Sequence, residues 1–320
     1  MSKTALITGV SSQDGAYLSK LLLEKNYNVV GLIRNSQNQT LSNLDYLGIK
    51  NDIQYEVGDL QDGISLSRIM HKVKPDEIYN LAAQSSVSLS FEHPLSTMQY
   101  NCMSVLNLLE LIKISHAETR FLQPVSSDMY GGSNVLPVHE DSNIIPTSPY
   151  AISKAMAYWA VKNYREAYSI FCSNAILFNH ESHLRGHNFF IKKVINNAIL
   201  IKNGRMSVLK LGNIDVKRDF GYAPEYARAM WLMLQADVAD DYCICSGVSL
   251  SLRKIVEYVF DKLNINRDKI VIDPNLYRPV ELIDIYGDNS KIKNDLNWKY
   301  DLSFFDVLDV LIAEEMAAQS

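Results

Sequence analysis

The chain has 320 residues, of which 47% are hydrophobic and 21% charged, and its formal net charge is −5. This composition excludes an intrinsically disordered chain and fits one large or two moderate globular domains. The acidic balance argues against nucleic acid or a membrane surface as a partner, and no apolar run approaches the ~18 residues that a membrane span needs. Because the chain opens without the apolar core and cleavage site of a signal peptide, we expect a cytoplasmic protein.

Short β-rich runs alternate with amphipathic segments of helical length up to Phe178. Strands are predicted at residues 4–8, 28–33, 53–57, 77–82, 120–125 and 173–178. Helices are predicted between them at residues 14–25, 64–73, 99–115 and 149–168. Regular alternation of apolar strands with helices predicts an α/β fold built on a doubly wound parallel sheet of Rossmann type.

The first predicted strand runs into a glycine-containing turn before the first predicted helix. A turn at this place offers backbone N–H groups and the helix dipole to a pyrophosphate. Gly9 would form the tight turn, and Gly15 would let the helix pack closely on the strand. A plain strand-to-helix turn is the alternative. The predicted dinucleotide site contains Gly9, Ser12, Gln13, Asp14 and Gly15.

The second predicted strand is followed by Arg34, which bears on the choice of dinucleotide. An acidic residue at this place reads the ribose 2′-hydroxyl of NAD, whereas a basic residue accommodates the 2′-phosphate of NADP. Arg34 therefore favours NADP, with a plain surface arginine as the alternative. We further expect Asp59 and Leu60 near the adenine, and Leu81 and Ala83 on the route to the nicotinamide.

Tyr150 and Lys154 lie one turn apart on the predicted helix at 149–168, so their side chains share a face. A lysine beside a phenol favours the phenolate and should lower the pKa of the tyrosine from its usual ~10. Tyr150 would then act as an acid–base group near neutral pH. This spacing often arises by chance, and it becomes informative because the dinucleotide turn precedes it.

The pattern becomes less regular after Phe178. Residues 179–186 are polar and are predicted to form a loop. Helices are predicted at 188–202, 224–235, 251–263 and 303–316, with a strand at 207–211 and a short helix from residue 289. We therefore expect an NADP-binding domain over residues 1–178, which carries Tyr150 and Lys154, and a smaller, mixed α/β C-terminal substrate lobe over residues 179–320, interleaved with the first.

The cysteines and the clustered histidines do not form a metal-ligand pattern. The four cysteines contain no CxxC pair and are predicted to be buried free thiols. Three histidines lie close together, but in a predicted loop and without the further ligands that would complete a zinc site. We therefore expect no metal. The residues concerned are Cys102, Cys172, Cys243, Cys245, His180, His183 and His187.

Distinctive stretches extend along almost the whole chain. They are residues 5–10 with 13–15, 74–81, 148–151, 163–166, 176–182, 218–221, Arg278-Pro279 with Glu281, and 287–288. With these stretches the chain resembles the extended short-chain dehydrogenase/reductase family and, within it, the GDP-mannose 4,6-dehydratases. Residues 179–182 are the most specific to these dehydratases.

The resemblance implies a lyase reaction without net redox change. Tyr150 would take the O4 proton of the mannosyl ring while hydride passes from C4 to NADP⁺. The 4-keto group acidifies the C5 hydrogen, and a carboxylate helps to remove that proton and to protonate the leaving C6 hydroxyl. Hydride then returns to C6, which gives GDP-4-keto-6-deoxy-mannose.

The resemblance also implies roles for individual residues. Ser126 would hydrogen-bond O4, Asp128 would be the carboxylate, and Lys154 would assist Tyr150. His180 would contact the cofactor. The residues expected to contact the GDP-sugar are Ser85, Asn179, Glu181, Lys193, Arg218, Arg278 and Glu281, with Lys193, Arg218 and Arg278 facing the diphosphate.

Several positions depart from the family pattern and leave alternatives open. Asp128 replaces a glutamate and is one methylene shorter, Ser12 replaces the middle glycine of the turn, and Ser104 replaces a glycine. The alternatives are a GDP-4-keto-6-deoxy-sugar reductase, a nucleotide-sugar epimerase, or a binding protein with a decayed site. We expect a homodimer, or a homotetramer, although the chain lacks the basic run after Arg34 that helps these dehydratases to form tetramers.

Overall fold

A computed structural model describes residues 2–34, 40–277 and 280–319. The strands are β1 Thr4–Thr8, β2 Asn28–Ile33, β3 Gln54–Val57, β4 Glu77–Asn80, β5 Arg120–Ser126, β6 Cys172–Leu177, β7 Asn179–Glu181, β8 Leu209–Leu211, β9 Lys217–Tyr222, β10 Tyr242–Ile244, β11 Ser249–Ser251 and β12 Ile270–Ile272. The helices are α1 Gln13–Glu24, α2 Ser42–Tyr46, α3 Gly63–Val73, α4 Val87–Glu92, α5 Pro94–Ser115, α6 Pro149–Tyr168, α7 Phe190–Lys202, α8 Ala223–Met233, α9 Leu252–Lys262, α10 Ser290–Leu296 and α11 Phe304–Ala318.

Seven parallel strands form the central sheet in the order β10-β6-β5-β4-β1-β2-β3. The chain order changes direction between β1 and β4, which are neighbours in the sheet. In such sheets ligands bind at the carboxyl ends of the strands beside this change of direction. The predicted doubly wound parallel sheet is therefore confirmed, and its topology indicates where a dinucleotide would bind.

Successive residues of β1 belong to different hydrophobic cores because side chains alternate across a sheet. Leu6 packs in the core formed with α3, α5 and α6. Ile7 packs in the core formed with α1 and α8. Both side chains are fully buried. This double coverage explains why the central strands are apolar along most of their length.

Helix α6 begins with a capped N-terminus. The Ser148 side chain accepts a hydrogen bond from the Ala151 backbone N–H at 3.1 Å, and Pro149 occupies the first turn. The helix ends before Ser169, whose φ is +55°. Its buried face includes Tyr150 and Lys154, which therefore point toward the sheet rather than into solvent.

The second half of the chain has its own core and also returns to the central sheet. Helices α7, α9 and α11 enclose a third core together with β8. Strand β10 pairs in parallel with β6, so a segment distant in sequence extends the central sheet. A smaller sheet of order β11-β9-β7 lies between these parts. Within the described ranges, none of the helices combines the length and the apolar character that a membrane span requires.

The predicted loop at residues 179–186 is wrong at its start. Strand β7 occupies Asn179–Glu181 and pairs in parallel with β9. Its polar residues suit a strand because distant groups satisfy them, as when Asn179 Nδ2 donates to the Asp219 carbonyl at 3.2 Å. The sequence prediction also omitted β9, β10, β11, β12, α2 and α4, and it began α5 too late, since this helix starts at Pro94.

Candidate active site

A cavity of about 250 Å³ lies at the carboxyl ends of the first four strands. Six of the predicted dinucleotide residues line it, namely Gly9, Ser12, Arg34, Leu60, Leu81 and Ala83. The other lining residues are Thr8, Ser11, Leu32, Gly58, Ala82 and Tyr100. Asp59 is exposed, and its carboxylate accepts a hydrogen bond from the Gln61 backbone N–H at 2.9 Å. The predicted turn, the second strand end and the fourth strand end therefore meet at one place.

The turn after β1 lies against the segment that follows β4. Gly9 has a φ of +66°, and a Cβ there would come within 2.8 Å of the Ala82 backbone nitrogen. A Cβ on Gly15 would come within 2.3 Å of the Gly9 carbonyl oxygen. Both glycines therefore have the steric roles that the sequence predicted. Ser12 caps α1, since its hydroxyl accepts a hydrogen bond from the Gly15 backbone N–H at 3.1 Å.

The side chains of Gln13 and Asp14 face strand β7 rather than the cavity. Gln13 Nε2 donates to the His180 carbonyl at 3.1 Å, and Gln13 Oε1 accepts from the Ser182 hydroxyl at 2.8 Å. Asp14 Oδ1 lies 2.9 Å from His180 Nε2, and the other ring nitrogen lies 2.7 Å from the Phe178 carbonyl. These polar contacts join the start of α1 to β7.

Asp14 and His180 form a hydrogen-bonded pair in a poorly solvated environment. Burial acts to raise the pKa of Asp14, but the charge and the hydrogen bond of His180 outweigh it and lower the pKa to about 2. His180 also stacks on the Tyr226 ring with centroids 4.5 Å apart. The pair therefore contributes to holding the two halves of the chain together at this point.

Tyr150 and Lys154 lie on one buried face, as predicted, but the predicted fall in the tyrosine pKa is wrong for the protein alone. Lys154 Nζ lies 5.9 Å from the Tyr150 ring centroid and donates to the Pro124 carbonyl at 2.9 Å. Burial raises the pKa of Tyr150 above its usual range, and the negative charge of Asp128 adds to this rise. A hydrogen bond with Ser126 acts in the opposite direction. Burial also lowers the pKa of Lys154 to about 8.

Ser126 and Asp128 lie where β5 ends in a short 3₁₀ turn. The Asp128 backbone N–H donates to the Ser126 hydroxyl at 3.2 Å. Asp128 is half-buried, and its charge acts on Tyr150. The structure therefore brings Ser126, Asp128, Tyr150 and Lys154 together at the carboxyl end of β5, the strand next to β4, although none of the four lines the cavity itself.

The predicted substrate residues are only partly brought together. Asn179 and Glu181 lie on β7, where Glu181 is buried and burial raises its pKa. Arg218, on the neighbouring β9, is buried and donates to the Lys217 and Leu282 carbonyls at 2.6 and 2.7 Å.

Four further predicted substrate residues lie elsewhere. Lys193 is half-buried on α7, and Ser85 is exposed just before α4. Glu281 is half-buried in the segment that Arg218 contacts. Arg278 lies outside the described residues.

The three clustered histidines have separate protein partners. His180 contacts Asp14, His183 lies 2.6 Å from Glu315, and His187 lies 2.9 Å from Asn196. In the part of the chain that the structure describes, no group of three or more histidine, cysteine or acidic residues could hold a metal ion. The absence of a metal remains a prediction from the sequence.

Some residues of the site gave little signal in the sequence. Tyr100 lines the cavity from α5, and its ring centroid lies 5.8 Å from the Arg34 guanidinium. Thr8 lines the cavity from the last position of β1. The position of Thr8 at a strand end could have identified it, whereas Tyr100 depends on how α5 packs.

A sequence model of the family described as GDP-mannose 4,6 dehydratase matches residues 6–310. The chain belongs to the GDP-mannose 4,6-dehydratase family. A relative of that name from Sinorhizobium fredii is 38% identical, over 98% of this chain and 97% of its own. GDP-mannose 4,6 dehydratase 1 of Arabidopsis thaliana is 40% identical over 98% and 90%, and the Homo sapiens relative is 37% identical over 96% and 90%. The resemblance seen in the sequence is confirmed.

Solved structures of related enzymes share the fold. UDP-glucose 4-epimerase from Thermotoga maritima superposes with a TM-score of 0.88 at 19% identity, over 99% of this chain and 100% of that one. dTDP-glucose 4,6-dehydratase from Streptomyces venezuelae, with NAD bound, gives 0.86 at 22% over 99% and 98%. RMD from Pseudomonas aeruginosa, complexed with NADPH, gives 0.79 at 24% over 99% and 100%. At these identities the likeness shows the fold alone.

The Asp14–His180 pair predicts a specific acid sensitivity. Because the pKa of Asp14 falls from 3.8 to about 2 on folding, its stabilisation is complete above 3.8 and is lost as the pH falls toward 2. Asp14→Asn should lower the free energy of unfolding by about 2 kcal/mol at neutral pH, and the difference should shrink across that acid range. Urea unfolding followed by circular dichroism at several pH values measures this. The exposed Asp52→Asn is the control, and a loss that is equal at every pH would contradict the argument.

Proposed function

We propose that this enzyme converts GDP-mannose to GDP-4-keto-6-deoxy-mannose and uses NADP as an internal hydride carrier. Membership of the dehydratase family supports the substrate and the reaction. The observation that carries the chemistry is the meeting of Ser126, Asp128, Tyr150 and Lys154 at the carboxyl end of β5, next to β4, whose own carboxyl end borders the dinucleotide cavity.

The cavity suits a nicotinamide dinucleotide. Gly9 leaves room for a pyrophosphate where a side chain would collide with the turn after β4. The N-terminus of α1 offers backbone N–H groups beside it, and the Ser12 hydroxyl can donate a hydrogen bond. Leu60 and Tyr100 line the cavity below the exposed Arg34. When bound, NADP supplies the hydride acceptor and donor and, in its oxidised form, a positive charge.

Tyr150 is assigned as the acid–base group at O4, with Ser126 as its hydrogen-bonding partner. Since burial and Asp128 raise the pKa of Tyr150, the phenol by itself stays protonated near neutral pH. A nearby cation lowers the pKa of a phenol. Tyr150 therefore becomes a competent base only when the site is filled with cofactor and substrate, and while Lys154 keeps its own charge. A filled site also excludes water, which strengthens these electrostatic effects.

Asp128 is assigned to the elimination step, in which the C5 proton leaves and the C6 hydroxyl is protonated. Its charge acts on Tyr150, which supports a position of the carboxylate near the carbons that react. The aspartate is one methylene shorter than the glutamate of the family pattern. Because of this difference we retain a second candidate function, a GDP-4-keto-6-deoxy-sugar reductase or a nucleotide-sugar epimerase. Neither reaction needs a carboxylate for elimination from C5 and C6.

Mass spectrometry of the reaction with GDP-mannose tests the dehydratase. We expect loss of one water, and we expect Tyr150→Phe and Asp128→Asn to lower kcat by about 10²- to 10⁴-fold because each removes a group that transfers protons. Asp237→Asn, at an exposed aspartate remote from the site, is the matched control. Unchanged GDP-mannose would exclude the dehydratase, and net consumption of NADPH with a keto-sugar would favour the reductase.

The preference for NADP over NAD is proposed from Arg34. The residue lies at the rim of the cavity after β2, where the adenosine ribose of a dinucleotide binds. Its guanidinium lies 5.8 Å from the Tyr100 ring centroid, which keeps the side chain over the cavity. A guanidinium suits the 2′-phosphate of NADP because it can donate two parallel hydrogen bonds.

Replacing Arg34 should change the cofactor preference. We expect Arg34→Asp to weaken NADPH binding by about 10- to 100-fold and to improve NADH binding, because the carboxylate repels a phosphate and accepts from a ribose hydroxyl. Titration of protein fluorescence with each dinucleotide measures both affinities. Arg205→Asp, at an exposed arginine elsewhere, controls for the charge change. Equal weakening of both dinucleotides would contradict the role of Arg34.

The GDP moiety is proposed to lie between β7, β9 and α7. Asn179 and Glu181 would face the sugar, whereas Arg218 and Lys193 would supply positive charge to the diphosphate. Ser85, Glu281 and Arg278 remain proposed contacts by family resemblance alone. The boundary between a cofactor domain and a substrate lobe near residue 178, and the cytoplasmic location, also remain proposals. The four cysteines are buried free thiols, which suits a reducing compartment.

A homodimer is proposed from an apolar surface on two neighbouring helices. Leu95 and Met103 are exposed on α5, and Ile152 and Trp159 are exposed on α6. Helices α5 and α6 pack against each other, and both pairs lie on an outward face. Two copies of this α5/α6 surface would form a four-helix interface that removes these side chains from water.

A charge on the α5/α6 surface should dissociate the dimer. We expect Trp159→Arg to convert a dimer into a monomer, because the indole is 53% exposed in one chain and the arginine would be buried against its copy. Light scattering coupled to size-exclusion chromatography measures the mass. Val238→Arg, at a residue that is 74% exposed away from this surface, is the matched control. A wild-type monomer would remove the proposal, and a wild-type tetramer would show that a second interface exists.

A further inference from the structure

Strands β4 and β5 stop pairing before they reach the active site. Their last paired residues are Tyr79 and Leu122. Along β5, the backbone N–H of Arg120 bonds toward β4 and that of Phe121 bonds toward β6. Since the direction alternates along a strand, the N and C=O of Pro124 face the β4 side, beyond the last pair. A proline in this central strand therefore costs no ladder hydrogen bond, and its carbonyl is left for another donor.

Two side chains donate hydrogen bonds to this carbonyl oxygen. Gln123 Nε2 and Lys154 Nζ each donate to the Pro124 oxygen at 2.9 Å. The glutamine is 3% and the lysine 6% exposed, so water does not compete for the same oxygen. Two titratable groups, Asp14 and Cys102, act electrostatically on Lys154 and raise its pKa, which opposes the effect of burial.

The amide of Gln123 is itself held by a chain of buried hydrogen bonds. Gln123 Oε1 accepts from Asn80 Nδ2 at 2.7 Å, and Asn80 Oδ1 accepts from the Thr8 hydroxyl at 2.8 Å. The Thr8 oxygen accepts from the Ala82 backbone N–H at 3.0 Å. Every donor in this chain points the same way, from the turn after β4 toward the Pro124 carbonyl. Both Thr8 and Ala82 line the dinucleotide cavity.

We propose that Gln123 is a positioning residue for Lys154, and that the Thr8–Asn80–Gln123 chain joins the wall of the cofactor cavity to the catalytic ammonium through the Pro124 carbonyl. This inference rests on the proposed function, because it takes Lys154 as part of the catalytic site. With one lone pair of the carbonyl filled by Gln123, the ammonium has a single direction in which to bond, which leaves its other N–H groups aimed away from the strand. Misplacement of a catalytic group by about 1 Å can cost 10²-fold in rate.

Two replacements of Gln123 should shift the alkaline limb of the pH–activity profile, where Lys154 loses its proton, in opposite directions. Gln123→Leu removes the hydrogen bonds of the Gln123 side chain with Asn80 and with the Pro124 carbonyl. The Lys154 ammonium is then less well positioned, so activity should fall at a lower pH than in the wild type. Gln123→Glu keeps the size but adds a carboxylate near Lys154, so activity should persist to a higher pH. We expect kcat to fall by about 10- to 100-fold in the leucine variant, with the KM for GDP-mannose within about threefold. A residue with only a structural role would not reverse the shift.

The control is Gln235→Leu, at a glutamine whose side chain donates to Glu77 and to the Trp231 carbonyl outside the cavity. It should lower the melting temperature without moving the pH limb. The pH dependence of NADPH affinity, followed by fluorescence, is a second readout that needs no turnover of GDP-mannose. If the wild type binds NADPH but does not dehydrate GDP-mannose, the proposed function fails while this readout still tests Gln123. Unshifted profiles in both Gln123 variants would overturn the proposal, and if Gln123→Leu does not fold, Gln123→Glu decides.

Discussion

The contact between the Lys154 ammonium and the Pro124 carbonyl determines much of the site. It fixes helix α6 against strand β5 at the level where Ser126 and Asp128 leave the strand. Burial makes this contact necessary, since a buried ammonium without a partner would be costly. Burial also lowers the pKa of Lys154 to about 8, so the charge of the site can change within the pH range in which enzymes work. The burial of Lys154 between α6 and β5 therefore both packs the helix on the sheet and lowers the pKa of the ammonium.

Six of the seven strands of the central sheet could be predicted from the sequence because short β-rich runs alternate with helical patterns, whereas β10 follows the less regular second half and was missed. The roles of Gly9 and Gly15 were also predicted, because a strand, a glycine-containing turn and a helix follow one another in the chain, although Gly9 closes against the distant Ala82. Strand β7 could not be predicted in this way. Its polar residues are compatible with a strand only because β9 and the start of α1 satisfy them, and those partners lie some distance along the chain.

The candidate site shows the same division between local and distant effects. The shared face of Tyr150 and Lys154 follows from helix geometry and was predicted. The direction of the tyrosine pKa was not, because the attraction of a neighbouring lysine can be read from spacing whereas the loss of water around a phenol cannot. Gln13 and Asp14 match a cofactor motif by position, but only the fold reveals that their side chains bind β7.

Strand β10 has a consequence for how the protein is made. The edge of β6 stays open until Tyr242–Ile244 arrives, by which time about three quarters of the chain has left the ribosome. An open parallel edge can pair with another nascent copy. A fragment that ends near residue 178 would lack β10 and leave the edge of β6 unpaired. The first half of the chain is therefore expected to aggregate when it is expressed alone. In the folded protein the edge strand β10 is only three residues long, which leaves little backbone for a strand of another molecule to pair with.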